Sequence, residues 1–311
     1  MNMVLLLSAA IQAGTPLLLA TVGESLTEKA GNLNLGVEGM MLVGAVSGFI
    51  GAYNTGSALF GILMAILSGI LISSVYAFIT VTLRANQIVT GLAITILGTG
   101  LAGFLGKNYV GMVLSNTVKG ILQTKIRIPL LGDIPFVGDI LFNNDIMIYM
   151  AFLIAVLAGL YISRTRTGLK LRAVGENPYA ADAAGINVSL FKYIHIMIGG
   201  ALCGLGGSYL SLVYIPVWQD NVVAGRGWIA VALVIFVGWN PIKAVLGAYV
   251  FGGLDILGFR LQKFEWKIPQ DFIDMLPYIA TIIVLVASSI NKKKKHPPPS
   301  WLGREYFRED R

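Results

Sequence analysis

Side chains able to do covalent or metal chemistry are scarce in this sequence. One cysteine, Cys203, in 311 residues excludes an intramolecular disulfide framework and any CxxC metal or redox site. Two histidines, His195 and His296, leave almost no material for a zinc site. A Walker-type phosphate loop needs GxxxxGK followed by Ser or Thr, because its backbone amides hold the phosphates. The only Gly-Lys pair, Gly106-Lys107, is followed by Asn108, and position 101 is Leu101. ATP hydrolysis therefore has no place on this chain. No catalytic residue is assigned, and His195 reads as a satisfied interfacial residue rather than a base.

The remaining chemistry is polar and sits in apolar surroundings. An ionisable or amide group inside a membrane is costly and is a functional candidate by default. Glu38 stands out, an acid ahead of an otherwise uncharged stretch, with Asn32 and Asn34 just before it. Gln87, Trp239, Asn240 and Asp255 complete the set. Each has a structural alternative. Asn32 and Asn34 would satisfy the backbone of a broken helix, and Glu38 would pair with Lys29 or cap a neighbouring helix.

A third kind of signal is the segment Gly168 to Ile186. Asn177 suits an N-cap, Pro178 the first helical position, and Gly185 a position just past the end. The Tyr-Ala-Ala-Asp-Ala-Ala run between them is rich in the best helix former. A helix of about seven residues cannot stand alone in water, where roughly 12–15 are needed. It must dock, either on this chain's own surface or into a partner.

These groups must be positioned by elements suited to lipid. Hydrophobic residues make up 56% of the chain and charged residues 13%, and its mean hydropathy is +0.75. A soluble domain carries about 25% charge. An ordinary water-soluble globule is excluded, and so is disorder, which requires low hydrophobicity. The net charge of +7 is no nucleic-acid signal, because seven of the 23 basic residues follow residue 291 in a Pro-rich tail.

Asp, Glu, Lys and Arg are absent from residues 1–23, 39–83, 85–106, 146–163, 193–219, 227–242 and 275–291. A spanning helix needs roughly 20 apolar residues. The expected fold is all-α and polytopic, with nine transmembrane helices at 3–22, 36–53, 58–83, 87–106, 145–163, 193–214, 227–239, 241–259 and 273–290. The first reads as a retained helix and not a signal peptide, since no basic residue precedes it and Gln12 and Pro16 interrupt it. Residues 1–290 form the transmembrane domain, and residues 291–311 a basic, Pro-rich tail.

Lysine and arginine set the orientation. A cytoplasmic C-terminus places 15 of 23 basic residues inside, including Lys29, Arg84, Arg164 to Arg172, Lys192, Lys243 and the Lys292 to Lys295 run. The N-terminus is then outside and the 164–192 loop cytoplasmic. On this topology spans 2 and 7 run in opposite directions, each after a Gly-rich stretch, Gly31 to Gly36 and Gly225 to Gly227. Such inverted repeats with broken helices are characteristic of transporters.

Three segments carry a resemblance. Leu171-Arg-Ala-Val-Gly-Glu-Asn-Pro-Tyr-Ala-Ala-Asp-Ala-Ala-Gly-Ile186 resembles the loop of ABC-importer permeases of the branched-chain amino acid, ribose and nucleoside superfamily. Glu28 to Ala45 is similar to the ERAGxxNLGxEGxMLxGA signature of the nucleoside or simple-sugar branch. Gly225 to Pro241 is similar to that branch's GRGxIALAxVIFGxWNP segment, with Val237 before Gly238 where the branch varies. The likeness covers roughly residues 10–290, and the Lys/Pro-rich tail lies outside it.

The resemblance implies a permease subunit of an ATP-driven importer in a prokaryotic plasma membrane. Asn177 to Gly185 would be its coupling helix, seated in a separate cytoplasmic ATPase that binds the ATP and magnesium. Gly175, Asn177, Pro178, Ala180, Ala181 and Gly185 would form that contact, with Arg172 and Glu176 as polar candidates whose alternative is a solvated loop. No cofactor is expected on this chain. A second permease subunit, different from this one, and an extracytoplasmic substrate-binding lipoprotein would complete the importer. The 107–144 loop is either the lipoprotein's docking site or an ordinary solvated loop. Asn32, Asn34, Glu38, Gln87, Trp239 and Asn240 would contact a nucleoside or simple sugar along the path, amides bonding hydroxyls and Trp239 or Trp228 stacking on a purine. The rival expectation is an ion-coupled secondary transporter, in which Glu38 or Asp255 would titrate. An intramembrane enzyme is disfavoured, because no nucleophile–base or metal set falls within the spans.

Overall fold

The computed structural model describes residues 3–261, 275–290 and 297–307. The Lys292 to Lys295 run and His296 lie outside the described residues, as do Lys263 and Lys267 of the expected last outer loop. The chain is helical along most of its length: α1 (Met3–Lys29), α2 (Val37–Thr55), α3 (Ala58–Ala77), α4 (Gln87–Gly106), α5 (Asn116–Gln123), α6 (Val137–Leu141), α7 (Ile146–Arg164), α8 (Arg166–Glu176), α9 (Pro178–Ala183), α10 (Val188–Tyr209), α11 (Arg226–Val237), α12 (Pro241–Leu261) and α13 (Leu276–Ile290). Single π-helical turns extend α3 and α10, at Phe78–Thr82 and Leu210–Tyr214.

Every expected span coincides with a helix, but the span count of nine is not reproduced. Among the described residues six helices, α1, α3, α4, α7, α10 and α12, are long and apolar enough to cross a membrane. The 12 residues of α11 rise about 18 Å, well short of a hydrocarbon core of about 30 Å. The first helix departs from its expected end at residue 22 and continues to Lys29, so Glu24 and Glu28 lie inside it and are buried.

α1 and α10 form the centre, with α2, α3, α11 and α12 packed around them. Close approach comes from glycine. Gly44 of α2 lies against Gly204 of α10 with no room for a β-carbon on either, and Gly204 also meets the Ala65 carbonyl of α3. Without a hydrophobic drive between helices in lipid, such small-residue contacts are what hold them together. The outer faces of α3, α4 and α7 remain apolar and exposed, with Ile96 at 74% and Phe104 at 79%. Water would not tolerate so large an apolar surface, whereas lipid does.

The two ends of the bundle differ. The Lys29 end gathers the α1–α2 turn, the residues around Arg84, the α8–α9 loop, Trp239 and the tail. The Met3 end carries the 107–144 segment, which is folded and not a free loop. α5 buries Val118 and Leu122, and a short antiparallel pair joins Ile126–Arg127 to Asn143–Asn144. Backbone bonds between Gly111 to Leu114 and Pro216 to Trp218 fasten it to the chain after α10.

Candidate functional site

Between α1 and α2 the chain turns back into the bundle, and every polar group it carries inward needs a partner. Glu24 accepts from the Asn34 backbone N–H at 3.1 Å and its amide at 3.3 Å, while the Asn34 side-chain oxygen accepts from Gly36 N–H at 2.9 Å. Leu33 is held on both sides: its N–H donates to Gln87 at 2.7 Å and its carbonyl accepts from the Tyr76 hydroxyl at 2.7 Å. Thr95 donates to the Leu35 carbonyl at 2.9 Å. These bonds let α2 begin inside the bundle instead of at its surface.

α11 begins at the same place. Gly225, in the left-handed region at φ +82°, precedes it and supplies no side-chain cap. Glu38 of α2 provides one instead, accepting from Gly225 N–H at 2.8 Å and Gly227 N–H at 2.7 Å. A carboxylate at a helix N-terminus satisfies otherwise unpaired N–H groups and opposes the helix dipole. From this junction the two broken helices diverge. α2 ends near Asn54, which bonds Tyr109 at the Met3 end, and α11 ends beside Trp239 at the Lys29 end. The opposed directions expected for spans 2 and 7 are present.

A cavity of about 390 Å³ adjoins the junction, within the size range of small-molecule sites. Arg226, the first residue of α11, bonds Asp255 of α12 at 2.8 Å and the Val223 carbonyl at 3.2 Å. The two side chains are 14% and 27% exposed, so the pair is desolvated on one side and open to the cavity on the other. Asn221, Tyr278 and Phe251 add an amide, a phenol and an aromatic ring. Such a wall can hydrogen-bond hydroxyls or a heterocycle edge and lay a flat ring against an aromatic face.

The sequence-predicted path residues lie elsewhere, apart from Glu38 at the junction and Asp255 on the cavity wall. Asn34 and Gln87 hold the turn. Asn32 is buried, and its side-chain amide has no hydrogen-bond partner among the described residues. The Trp239 indole donates to Glu28, and the Lys29 ammonium stands 5.8 Å over its ring. Asn240 caps α12, accepting from Ile242 N–H at 3.0 Å and Lys243 N–H at 3.3 Å. Trp239 and Asn240 do line a separate cleft of about 310 Å³ at the Lys29 end. His195 is satisfied by the Tyr161 hydroxyl at 2.9 Å and the Phe191 carbonyl at 2.7 Å. Sequence reasoning overlooked Glu24, Glu28, Arg226, Asn221 and Tyr278. An acid every fourth residue at Glu24 and Glu28 was the available signal for a longer first helix; nothing local pointed to Tyr278.

The short helix is built as its sequence requires. Asn177 accepts from Ala180 N–H at 3.0 Å, Pro178 opens α9, and Gly185 ends it at φ +78°. Ala181 packs inward with Val174 and Val188, and Pro178 is buried too. Ala180, Ala183, Ala184 and Gly185 are exposed beside Asn177, Glu176 and Arg172. Gly175 is pressed against the Lys29 carbonyl and has no room for a β-carbon. One face of α9 is thus seated and the other is bare and small.

Comparisons with known proteins agree with this arrangement. Residues 6–285 match the family described as branched-chain amino acid transport system / permease component. The ABC transporter permease protein TsgC13 of Haloferax volcanii, named for glucose, is 38% identical over 98% of both chains. The nucleoside ABC transporter permease protein NupC of Lactococcus lactis is 34% identical over 87% of this chain and 88% of its own. The guanosine ABC transporter permease protein NupQ of Bacillus subtilis is 34% identical over 92% and 93%. With its broken-helix bundle and a match spanning nearly the whole sequence, this chain belongs to the branched-chain amino acid transport system permease family and is a multi-pass ABC transporter permease subunit.

Proposed function

We propose that this subunit carries a nucleoside or a related simple sugar inward by alternating access, driven by a separate ATPase. The observation that carries the substrate class is the cavity beside the helix junction, where an Arg226–Asp255 pair, an amide and aromatic rings converge. Relatives named for nucleosides and for glucose support the same polar, hydroxylated class. The Lys29 end faces the cytoplasm on this reading, because it collects Lys29, Arg84, Arg172 and Lys243. The N-terminus is then outside and the tail inside.

The bare face of α9 is where the ATPase grips. Its exposed alanines let a partner surface approach closely, and Arg172 and Glu176 flank them. A second, different permease subunit and an extracytoplasmic binding lipoprotein complete the importer, the lipoprotein meeting the folded 107–144 segment. Ion coupling is the weaker reading, since both Glu38 oxygens accept backbone N–H groups and Asp255 is ion-paired. The test is uptake of tritiated guanosine and glucose into proteoliposomes holding the assembled importer. ATP-dependent accumulation of one of them supports the reading. Accumulation driven by a proton or sodium gradient without ATP overturns it.

A further inference from the structure

The tail lies outside every motif that identifies the family, yet residues 297–307 lie across the Lys29 end in a defined path. Ser300 donates to the Glu176 carboxylate through its hydroxyl at 2.6 Å and its N–H at 3.2 Å. Trp301 N–H donates to the Gly175 carbonyl at 3.0 Å, and Gly303 N–H to the Gly31 carbonyl at 3.3 Å. The Arg304 carbonyl accepts from the Gln87 amide at 3.2 Å. Aromatic contacts run beside these bonds. Tyr179 of α9 is edge-on to Trp301 and to Tyr306, with centroids at 5.3 and 5.2 Å, and the Arg84 guanidinium lies 4.8 Å over Phe307.

Three segments distant in sequence are therefore tied by one irregular stretch of chain: the α8–α9 loop, the α1–α2 turn and the start of α4. Gln87 makes the tie specific. Its amide nitrogen holds the tail, while its oxygen holds Leu33 in the turn from which α2 starts. That turn positions Glu38, which caps α11 beside the cavity. α9 touches its own bundle chiefly through Ala181, packed on Val174 of α8 and Val188 of α10, a small apolar patch for an element that would be pulled.

We propose that the tail is a strap that fixes α8–α9 to the α1–α2 turn, so that displacement of α9 is delivered to the helix junction as one rigid movement. Ser300 and Trp301 are its positioning residues. The inference rests on reading α9 as the ATPase contact, but part of its test does not.

The test compares the full chain with a variant ending at His296, and with Trp301→Ala and Ser300→Ala variants in case the truncation fails to fold. In the isolated permease, amide exchange at 175–185 and 30–34 should rise about tenfold in the variants while the centre of α10 is unchanged. Unchanged exchange at these positions overturns the strap whatever α9 binds. In the assembled importer, the ATPase should stay bound and ATP hydrolysis continue, while solute taken up per ATP falls about fivefold. Uptake per ATP equal to that of the full chain overturns the proposal. Loss of the ATPase from the variants also overturns it, making the tail a docking surface. A failure of the α9 reading itself is recognised separately, as an Ala180→Trp importer that keeps its ATPase.

Discussion

Glu38 and Gly227 are 189 residues apart in sequence and joined by a 2.7 Å hydrogen bond inside the bundle. The bond places the first turn of α2 against the first turn of α11, two helices that leave the junction for opposite ends. A junction of this kind can open or close without unwinding either helix. The neighbouring Arg226–Asp255 pair, which lines the cavity, would feel any such movement, because Arg226 follows Gly225 directly.

Glu38→Ala should leave the N–H groups of Gly225 and Gly227 unsatisfied and cost about 2 kcal/mol. Glu38→Gln keeps one acceptor and should cost less than half as much. Thermal unfolding of the detergent-solubilised protein reads both. Equal midpoints for the wild type and Glu38→Ala would remove the capping role.

Arg226→Ala leaves Asp255 unpaired at a partly desolvated site. The expected loss is about 1–3 kcal/mol, below that of a fully buried pair because both side chains retain some exposure. An Arg226→Met/Asp255→Leu double variant should regain most of that stability. Uptake should stay low in the double variant, since the cavity has lost its charged wall. Recovery of uptake together with stability would show that the pair only braces α11 on α12.

Ala180→Trp, on the bare face of α9, and Ala184→Trp, just past its end, should release the ATPase in a pull-down while the unfolding midpoint stays the same. Ala181→Trp is different, because Ala181 is packed on Val174 and Val188; it should lower the midpoint, as overpacking costs about 1–3 kcal/mol. Retention of the ATPase by both exposed variants would move the docking surface elsewhere.

Gly204→Val forces a branched side chain against the α3 backbone at Ala65 and Gly69. Yield of monodisperse protein should fall sharply, whereas Gly103→Val, on an open face of α4, should leave it unchanged. Similar yields for the two variants would contradict the close packing of α3 and α10.

The helices themselves were legible because charge-free windows and cap residues are local signals. Asn177 and Pro178 begin α9 and Gly185 ends it as their chemistry requires, and the opposed directions of α2 and α11 followed from the even and odd places of spans 2 and 7 in the expected order. Charge also misled. Glu24 and Glu28 suggested that the first span had ended, whereas tertiary partners, Asn34 and Trp239, let both acids remain inside the helix. Residue type alone did not separate a group that lines a path from one that ties a turn. Asn34, Gln87 and Asn240 proved to tie turns and helix starts, Asn34 and Asn240 through nearby backbone N–H groups and Gln87 through that of Leu33, distant in sequence. The cavity wall was hidden for a related reason: Asp255 was a candidate, but the Asn221–Arg226 stretch, Asp255 and Tyr278 come from three separate segments that only packing brings together.

ATP-driven import through this subunit is tested most directly by uptake of tritiated guanosine, with tritiated glucose alongside, into proteoliposomes that hold it with the proposed ATPase, second permease and binding lipoprotein. Vanadate-sensitive, ATP-dependent accumulation of one of the two is expected, abolished by Ala180→Trp together with ATPase binding. Accumulation that persists without ATP, or that survives loss of the α9 contact, would contradict it.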